Sequence, residues 1–199
     1  MNTSAVPQSA AVRWGRVAAA SVLFFSALNW VGWSTGNDAL TRTNPAWPPM
    51  LPWTALMLAV LGTAVLVQSG TPSAGRVWAG RGLAAAVGAI ALLILIERST
   101  GWGSGLDQVW FAEALRNLQT AWPGRPGGQV VFSILLLSVA VATARVERPR
   151  SPVLWLSCLL TAMVMPWIAA LAYLFRSVAL VQIAESAGMA LTTSLITML

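Results

Sequence analysis

The sequence predicts an all-α membrane protein: a polytopic bundle of about six transmembrane helices, built from three tandem helical hairpins. Three observations predict it. Hydrophobic residues make up 57% of the 199 positions and charged residues only 9%, against roughly 25% charged in a soluble domain. Apolar runs of about 16–20 residues recur along the chain, each long enough to cross a bilayer as a helix. Two short sequence elements also recur, in the same order, at the ends of these runs.

Residues 1–12 are polar and rich in Ser and Ala, and read as a disordered cytoplasmic N-terminus; residues 13–199 read as one transmembrane domain. Arg13 and Arg16 precede the first run, Val17 to Trp33. A signal peptide is the alternative there, disfavoured because the run is longer than an h-region and its far end belongs to the repeat. The second run is Trp53 to Val67, the third Gly82 to Ile96, the fourth Val130 to Ala144 and the fifth Val153 to Phe175, with a sixth beginning near Met189. Between the third and fourth, Leu106, Val109, Trp110, Ala114, Leu115 and Leu118 recur at helical spacing and predict a short helix on the outer membrane surface. From Met189 to Leu199 a helix rises only about 16 Å, roughly half the hydrocarbon thickness. The expectation is a sequence cut from a longer protein; the alternative is a helix that starts near Val178 and takes in Gln182 and Glu185.

All twelve basic residues are Arg and the formal charge is +6. They fall in ones and twos between apolar runs and make no basic stripe, which argues against a nucleic-acid partner and leaves the lipid bilayer as the one that composition implies. Alternate loops give the orientation. One side holds Arg13, Arg16, Arg76, Arg81, Arg145, Arg148 and Arg150 against the single acid Glu147. On the other, Arg42, Arg98, Arg116, Arg125 and Arg176 are balanced by Asp38, Glu97, Asp107, Glu113 and Glu185. The N-terminus is therefore expected in the cytoplasm. Trp30, Trp33, Trp47, Trp53, Trp102, Trp110 and Trp122 cluster at the outer ends, and Trp14, Trp78 and Trp155 at the inner ones, as interfacial belts do.

Several chemistries are excluded. Cys158 is the only cysteine, so no intrachain disulfide, CxxC pair or zinc knuckle forms, and it reads as a small buried hydrophobe. Histidine is absent, which removes the usual metal and haem ligand and the usual general base. No catalytic residue, metal site or cofactor is predicted, and the chain is not read as an enzyme within these residues.

The first repeated element ends the outward helices: Gly32-Trp33-Ser34-Thr35-Gly36-Asn37-Asp38 and Gly101-Trp102-Gly103-Ser104-Gly105-Leu106-Asp107 both read G-W-x-x-G-x-D. The second opens the returning helices: Met50-Leu51-Pro52-Trp53-Thr54-Ala55-Leu56 is echoed by Met189-Ala190-Leu191-Thr192-Thr193-Ser194-Leu195, with a degraded copy in Pro126-Gly127-Gly128-Gln129-Val130-Val131-Phe132. The unit is an outward helix, a structured outer loop and an inward helix, three times over in one orientation.

On these residues the chain resembles the six-helix membrane input region found at the N-terminus of many bacterial sensor histidine kinases and diguanylate cyclases. The resemblance is carried by Gly32 to Leu56, by Leu95 to Gln108, and by Ala172-Tyr173-Leu174-Phe175 with Gly188-Met189-Ala190-Leu191. The family often has Asn before the Thr of the first returning helix and His before that of the third; Trp53 and Thr192 stand there instead, and Pro126 and Gly128 replace the Met and Pro of the middle copy. The resemblance implies the bacterial inner membrane, a homodimer, and a sixth helix that continues into a cytoplasmic output domain in the same chain.

The ligand-binding or signalling candidates are Glu97, Asp38, Asp107, Thr54, Thr193, Tyr173, Trp33 and Trp102, each with a plainer role beside it. Glu97 ends an apolar run, where an acid is costly unless paired, hydrated or functional; its plainer role is an interfacial carboxylate near Arg98. Asp38 and Asp107 match in the repeat, and capping a helix is their expected use. Thr54 and Thr193 either bond between helices or satisfy their own backbone. Tyr173 reads as an interfacial anchor, Trp33 and Trp102 as matched repeat positions, and Met163, Met165 and Pro166 as packing beside a kink. The expected function is a sensory input module for an unidentified stimulus. A small transporter or channel subunit is the alternative, and a membrane enzyme ranks third.

Overall fold

The computed structural model describes residues 8–42, 44, 47–69, 73–105, 109–116, 118, 124–144, 151–175 and 190–198. These form eight helices and no strand: α1 (Gln8–Thr35), α2 (Asp38–Thr41), α3 (Pro52–Gln68), α4 (Ala74–Thr100), α5 (Ala112–Arg116), α6 (Gly128–Thr143), α7 (Ser151–Leu174) and α8 (Leu191–Met198). All six apolar runs are helical. Helix α1 already includes Gln8 to Val12, which the sequence reading gave to a disordered tail; residues 1–7 lie outside the described residues.

Three helices, α1, α4 and α7, are long and apolar enough to cross a membrane. At 28, 27 and 24 residues they rise about 42, 40 and 36 Å. The expectation of six similar spans is met by these three only. Helices α3 and α6 have 17 and 16 residues, about 25 Å each, and α8 has 8. They are apolar but shorter than the roughly 20 residues a hydrocarbon core requires.

The helices pack as a closed circuit. Each long helix lies against the short one that follows it, α1 on α3, α4 on α6 and α7 on α8, and each short helix touches the next long one, α3 on α4, α6 on α7 and α8 back on α1. Helix α3 also reaches α6 and α8, so it is the most surrounded. Its buried face carries Trp53, Thr54, Met57, Leu58 and Leu61, and Val130, Val131 and Ile134 of α6 are buried in the same core. The long helices bury narrow stripes of small residues and turn large apolar side chains outward: Phe24, Phe25, Leu92, Ile96, Leu160, Trp167, Ile168 and Leu171 are all exposed. In water so many would make an apolar patch far beyond what a soluble monomer tolerates.

Small residues set the helix spacing, as membrane packing favours. A Cβ on Gly62 of α3 would lie 3.2 Å from the Ala19 carbonyl of α1, and one on Gly88 of α4 would lie 2.6 Å from Ser138 Oγ of α6. At the end of the bundle where α3 finishes and α4 begins, Gly80 leaves room for the buried Gln68, whose Nε2 donates to the Val141 carbonyl at 3.3 Å and so ties α3 to α6. Arg16 Nη2 donates to the Ser69 carbonyl at 2.8 Å, fastening α1 to the end of α3.

Candidate functional site at the outer ends of the hairpins

At the end of the bundle where α1 finishes and α3 begins, expected to face outward, the returning helices start in the register the sequence repeat gives. Leu51, Gly127 and Ala190 are the last non-helical residues, and their carbonyls accept from the amides of Ala55, Val131 and Ser194 at 3.1, 3.0 and 3.0 Å. Pro52 occupies the first turn of α3, where its missing N–H costs nothing. The pairs Thr54-Ala55, Val130-Val131 and Thr193-Ser194 are buried, and the following Phe132 and Leu195 face outward.

The outward helices repeat too, but in a different register from the G-W-x-x-G-x-D alignment, which the structure corrects. Helix α1 ends at Thr35 with Gly36 left-handed (φ 67°), and the Asn37 amide donates to the Gly32 carbonyl at 2.9 Å. Helix α4 ends at Thr100 with Gly101 left-handed (φ 71°) and donating to the Glu97 carbonyl at 3.0 Å. The equivalent segments are therefore Val31-Gly32-Trp33-Ser34-Thr35-Gly36 and Ile96-Glu97-Arg98-Ser99-Thr100-Gly101. In both, the Ser and Thr hydroxyls donate to the carbonyl of the opening apolar residue, Val31 or Ile96, at 2.7–2.9 Å. Burial agrees: Ala19, Val22, Ser26, Asn29 and Gly32 in α1, and Ala84, Val87, Ala91, Ile94 and Glu97 in α4, are buried at identical spacing. Ala162, Pro166, Ala169 and Ala172 continue the pattern in α7. Trp33, Arg98 and Tyr173 are thus equivalent, and Trp102 has no part in the match.

This register exposes a shared device. Trp33 Nε1 donates to the Met50 carbonyl at 2.8 Å, and Arg98 Nη1 to the Pro126 carbonyl at 3.4 Å. Met50 and Pro126 each precede the residue that caps a returning helix, so the last turn of the outward helix holds the start of its partner. In the first hairpin Asn29 Nδ2 adds a second donor to the Met50 carbonyl at 3.1 Å, and the Met50 amide donates to Thr41 at 2.8 Å.

Among the described residues, Glu97 is the deepest charge. It is fully buried, and its partner is Arg125, with Oε2 3.8 Å from Nη1, rather than Arg98 at a wet interface as expected. Glu97 Oε1 accepts from the Ser104 amide at 2.8 Å, which draws residues 101–104 over the end of α4. Gly103 permits this: a Cβ there would approach Arg125 Nη2 to 3.0 Å. Nothing in the periodicity pointed to Arg125 or Ser104. Both lie in loops, and only the buried register of α4 makes Glu97 an inward-facing acid.

The other candidates are dispersed. Asp38 does not cap α2; Asn37 does, its Oδ1 accepting from Ala39 at 3.1 Å, while exposed Asp38 pairs with Arg42 at 3.0 Å. Asp107 lies outside the described residues. Thr54 and Thr193 are buried at matching positions, and the Thr193 carbonyl takes the Thr197 hydroxyl at 2.6 Å. Tyr173 is buried, its ring 4.7 Å from that of Trp47. Trp102 is 58% exposed. Cys158 is buried.

The loop aromatics pack on one another and on the helix ends. Trp110 packs between Trp30 (5.3 Å) and the buried Trp53 (4.7 Å), and Phe111, held left-handed at φ 54°, covers Trp30 and Trp33 at 5.4 and 6.3 Å. The predicted surface helix is one turn, α5, with Leu115 buried. The loop of the second hairpin thus folds over the first, as Trp47 of the first loop lies on Tyr173 of the third hairpin. No protein-family model, curated protein or solved structure matches the chain.

Proposed function

We propose that the chain is a sensory input module of the bacterial inner membrane. In this reading six helices cross as three like-oriented hairpins with the N-terminus cytoplasmic. The outer loops or the membrane phase receive a stimulus, and the returning helices carry the shift to a cytoplasmic output domain, in a homodimer. One observation carries the reading: the last turns of α1 and α4 are hydrogen-bonded to the residue before the cap of the returning helix, and the described outer connections rest on a neighbouring hairpin. Trp33 on the Met50 carbonyl and Trp110 against Trp30 and Trp53 are the clearest instances. A stimulus that moves a loop therefore moves a buried helix relative to its neighbours, which is what a two-state input requires. A transporter would instead need a polar path near the midplane, whereas the buried charges among the described residues, Glu97 and Arg125, sit at the last turn of α4 and in the loop before α6. The test fuses residues 1–199 to a diguanylate cyclase output in place of its own six-helix input. W33F and R125Q should each shift cyclase output at constant protein level, and output indifferent to both would refute coupling.

A further inference from the structure

A cavity of about 820 Å³ opens between α7 and α8 beneath the first outer loop, lined by Asn44, Trp47, Trp167, Ala170, Tyr173 and Leu195 among others. Its size suits a small-molecule site. Its lining is overwhelmingly apolar, and its rim residues Trp167, Leu171, Leu174 and Leu195 are exposed along the faces that the proposed function puts against lipid. Entry is thus from the membrane.

The repeat says what is missing from it. In the first hairpin the corresponding space is filled by three indoles: Trp30 from α1, Trp53 from α3, and Trp110 wedged between them. In the register that matches Trp33 to Tyr173, Trp30 corresponds to Ala170 and Trp53 to Thr192. The loop contributes Trp47, which covers Tyr173 as Phe111 covers Trp33. Two large rings have become an alanine, which lines the cavity, and a threonine beside the lining residue Leu191.

We propose that this cavity binds a lipophilic ring compound dissolved in the outer leaflet, whose ring takes the place that the tryptophan wedge fills in the first hairpin. Aromatic walls favour a ring in offset or edge contact over an acyl chain. The inference rests on the input-module reading for the route of entry and for its consequence: an occupant would press directly on α8 through Leu191 and Leu195. The probe is a decyl-naphthoquinone, which quenches tryptophan, added to the full chain in nanodiscs. Saturable quenching is expected, and an azide-bearing analogue should label residues 167–174 and 191–195. A170F, which fills the cavity without adding a tryptophan, should weaken saturable binding at least about tenfold, with helix content unchanged. Linear quenching equal in both proteins, or labelling elsewhere, overturns the site, and so does quenching by tail-brominated phosphatidylcholine that the quinone cannot relieve, because the occupant is then a bulk acyl chain. Saturable binding that leaves the cyclase fusion's output unchanged would retain the site and reject the sensory reading.

Discussion

Replacing Arg125 by Gln tests the buried pair that closes the second hairpin. The side chains of Arg125 and Glu97 are 5% and 1% exposed and lie 3.8 Å apart. Removing one member of such a pair strands the other's charge, at a cost of about 3–5 kcal/mol; the long separation puts R125Q near the lower end. The carboxylate keeps the hydrogen bond from the Ser104 amide, so its desolvation is only partly offset. E97Q retains an oxygen for that amide and removes the negative charge, and the double variant E97Q/R125Q leaves neither charge buried. The double variant should therefore recover about 1–2 kcal/mol of the loss in R125Q, a coupling within the range for contacting residues. Equilibrium unfolding in mixed micelles, followed by tryptophan fluorescence, measures the cycle. Hydrogen exchange at Ser104 should stay protected in R125Q and speed up in E97A, where its acceptor is gone. An R125Q loss below about 1 kcal/mol, or a double variant as unstable as the two singles summed, would refute the claim that the pair is coupled.

G80A should cost about 1–3 kcal/mol by overpacking, because the new Cβ meets Gln68 Cγ and lies 2.7 Å from Nε2; G82A, facing open space, is the control and should be neutral or slightly stabilising in the same unfolding assay. G36A and G101A should each cost about 1–2 kcal/mol from backbone strain alone, since both glycines are left-handed with nothing near the added atom. Reporter tags at positions 75 and 120 should report from opposite sides of the membrane, with 75 cytoplasmic; a shared compartment would reject the hairpin orientation. Cys158, buried in α7, should react with maleimide far more slowly in the folded protein than after denaturation.

The helices were legible because hydropathy and the returning-helix element are local signals. Pro52 marks the first turn of α3, and the echoes at Gly127 and Ala190 begin their helices in the same register. The outward-helix element misled because the eye matches Gly-Trp to Gly-Trp. The physical marker is Ser-Thr-Gly, where two hydroxyls bond back to one carbonyl before a left-handed glycine. Amphipathicity failed for Trp110 and Phe111 for a different reason. In lipid the core and the solvent are equally apolar, so a greasy loop residue does not announce whether it faces inward or outward. Arg125 stands 28 positions from Glu97 in a loop with no periodicity, and such a pairing has no local signature.

On the proposed input-module reading, divergence among the three copies indicates where a stimulus would act. The first hairpin holds its returning helix with two donors on the Met50 carbonyl and packs an indole wedge beside it. In the second, one longer hydrogen bond from Arg98 and a buried ion pair do the holding. Among the described residues of the third, the wedge positions are an alanine and a threonine, and the space beside the alanine is a cavity. Equal copies would give a bundle with no preferred place to yield, because every interface would have the same stiffness. With these side chains the α7–α8 interface borders a cavity of about 820 Å³, and filling it would add packing there. On that proposal, a stimulus with a few kcal/mol of differential binding would shift a two-state equilibrium there, with the first two hairpins as the frame against which α8 would move.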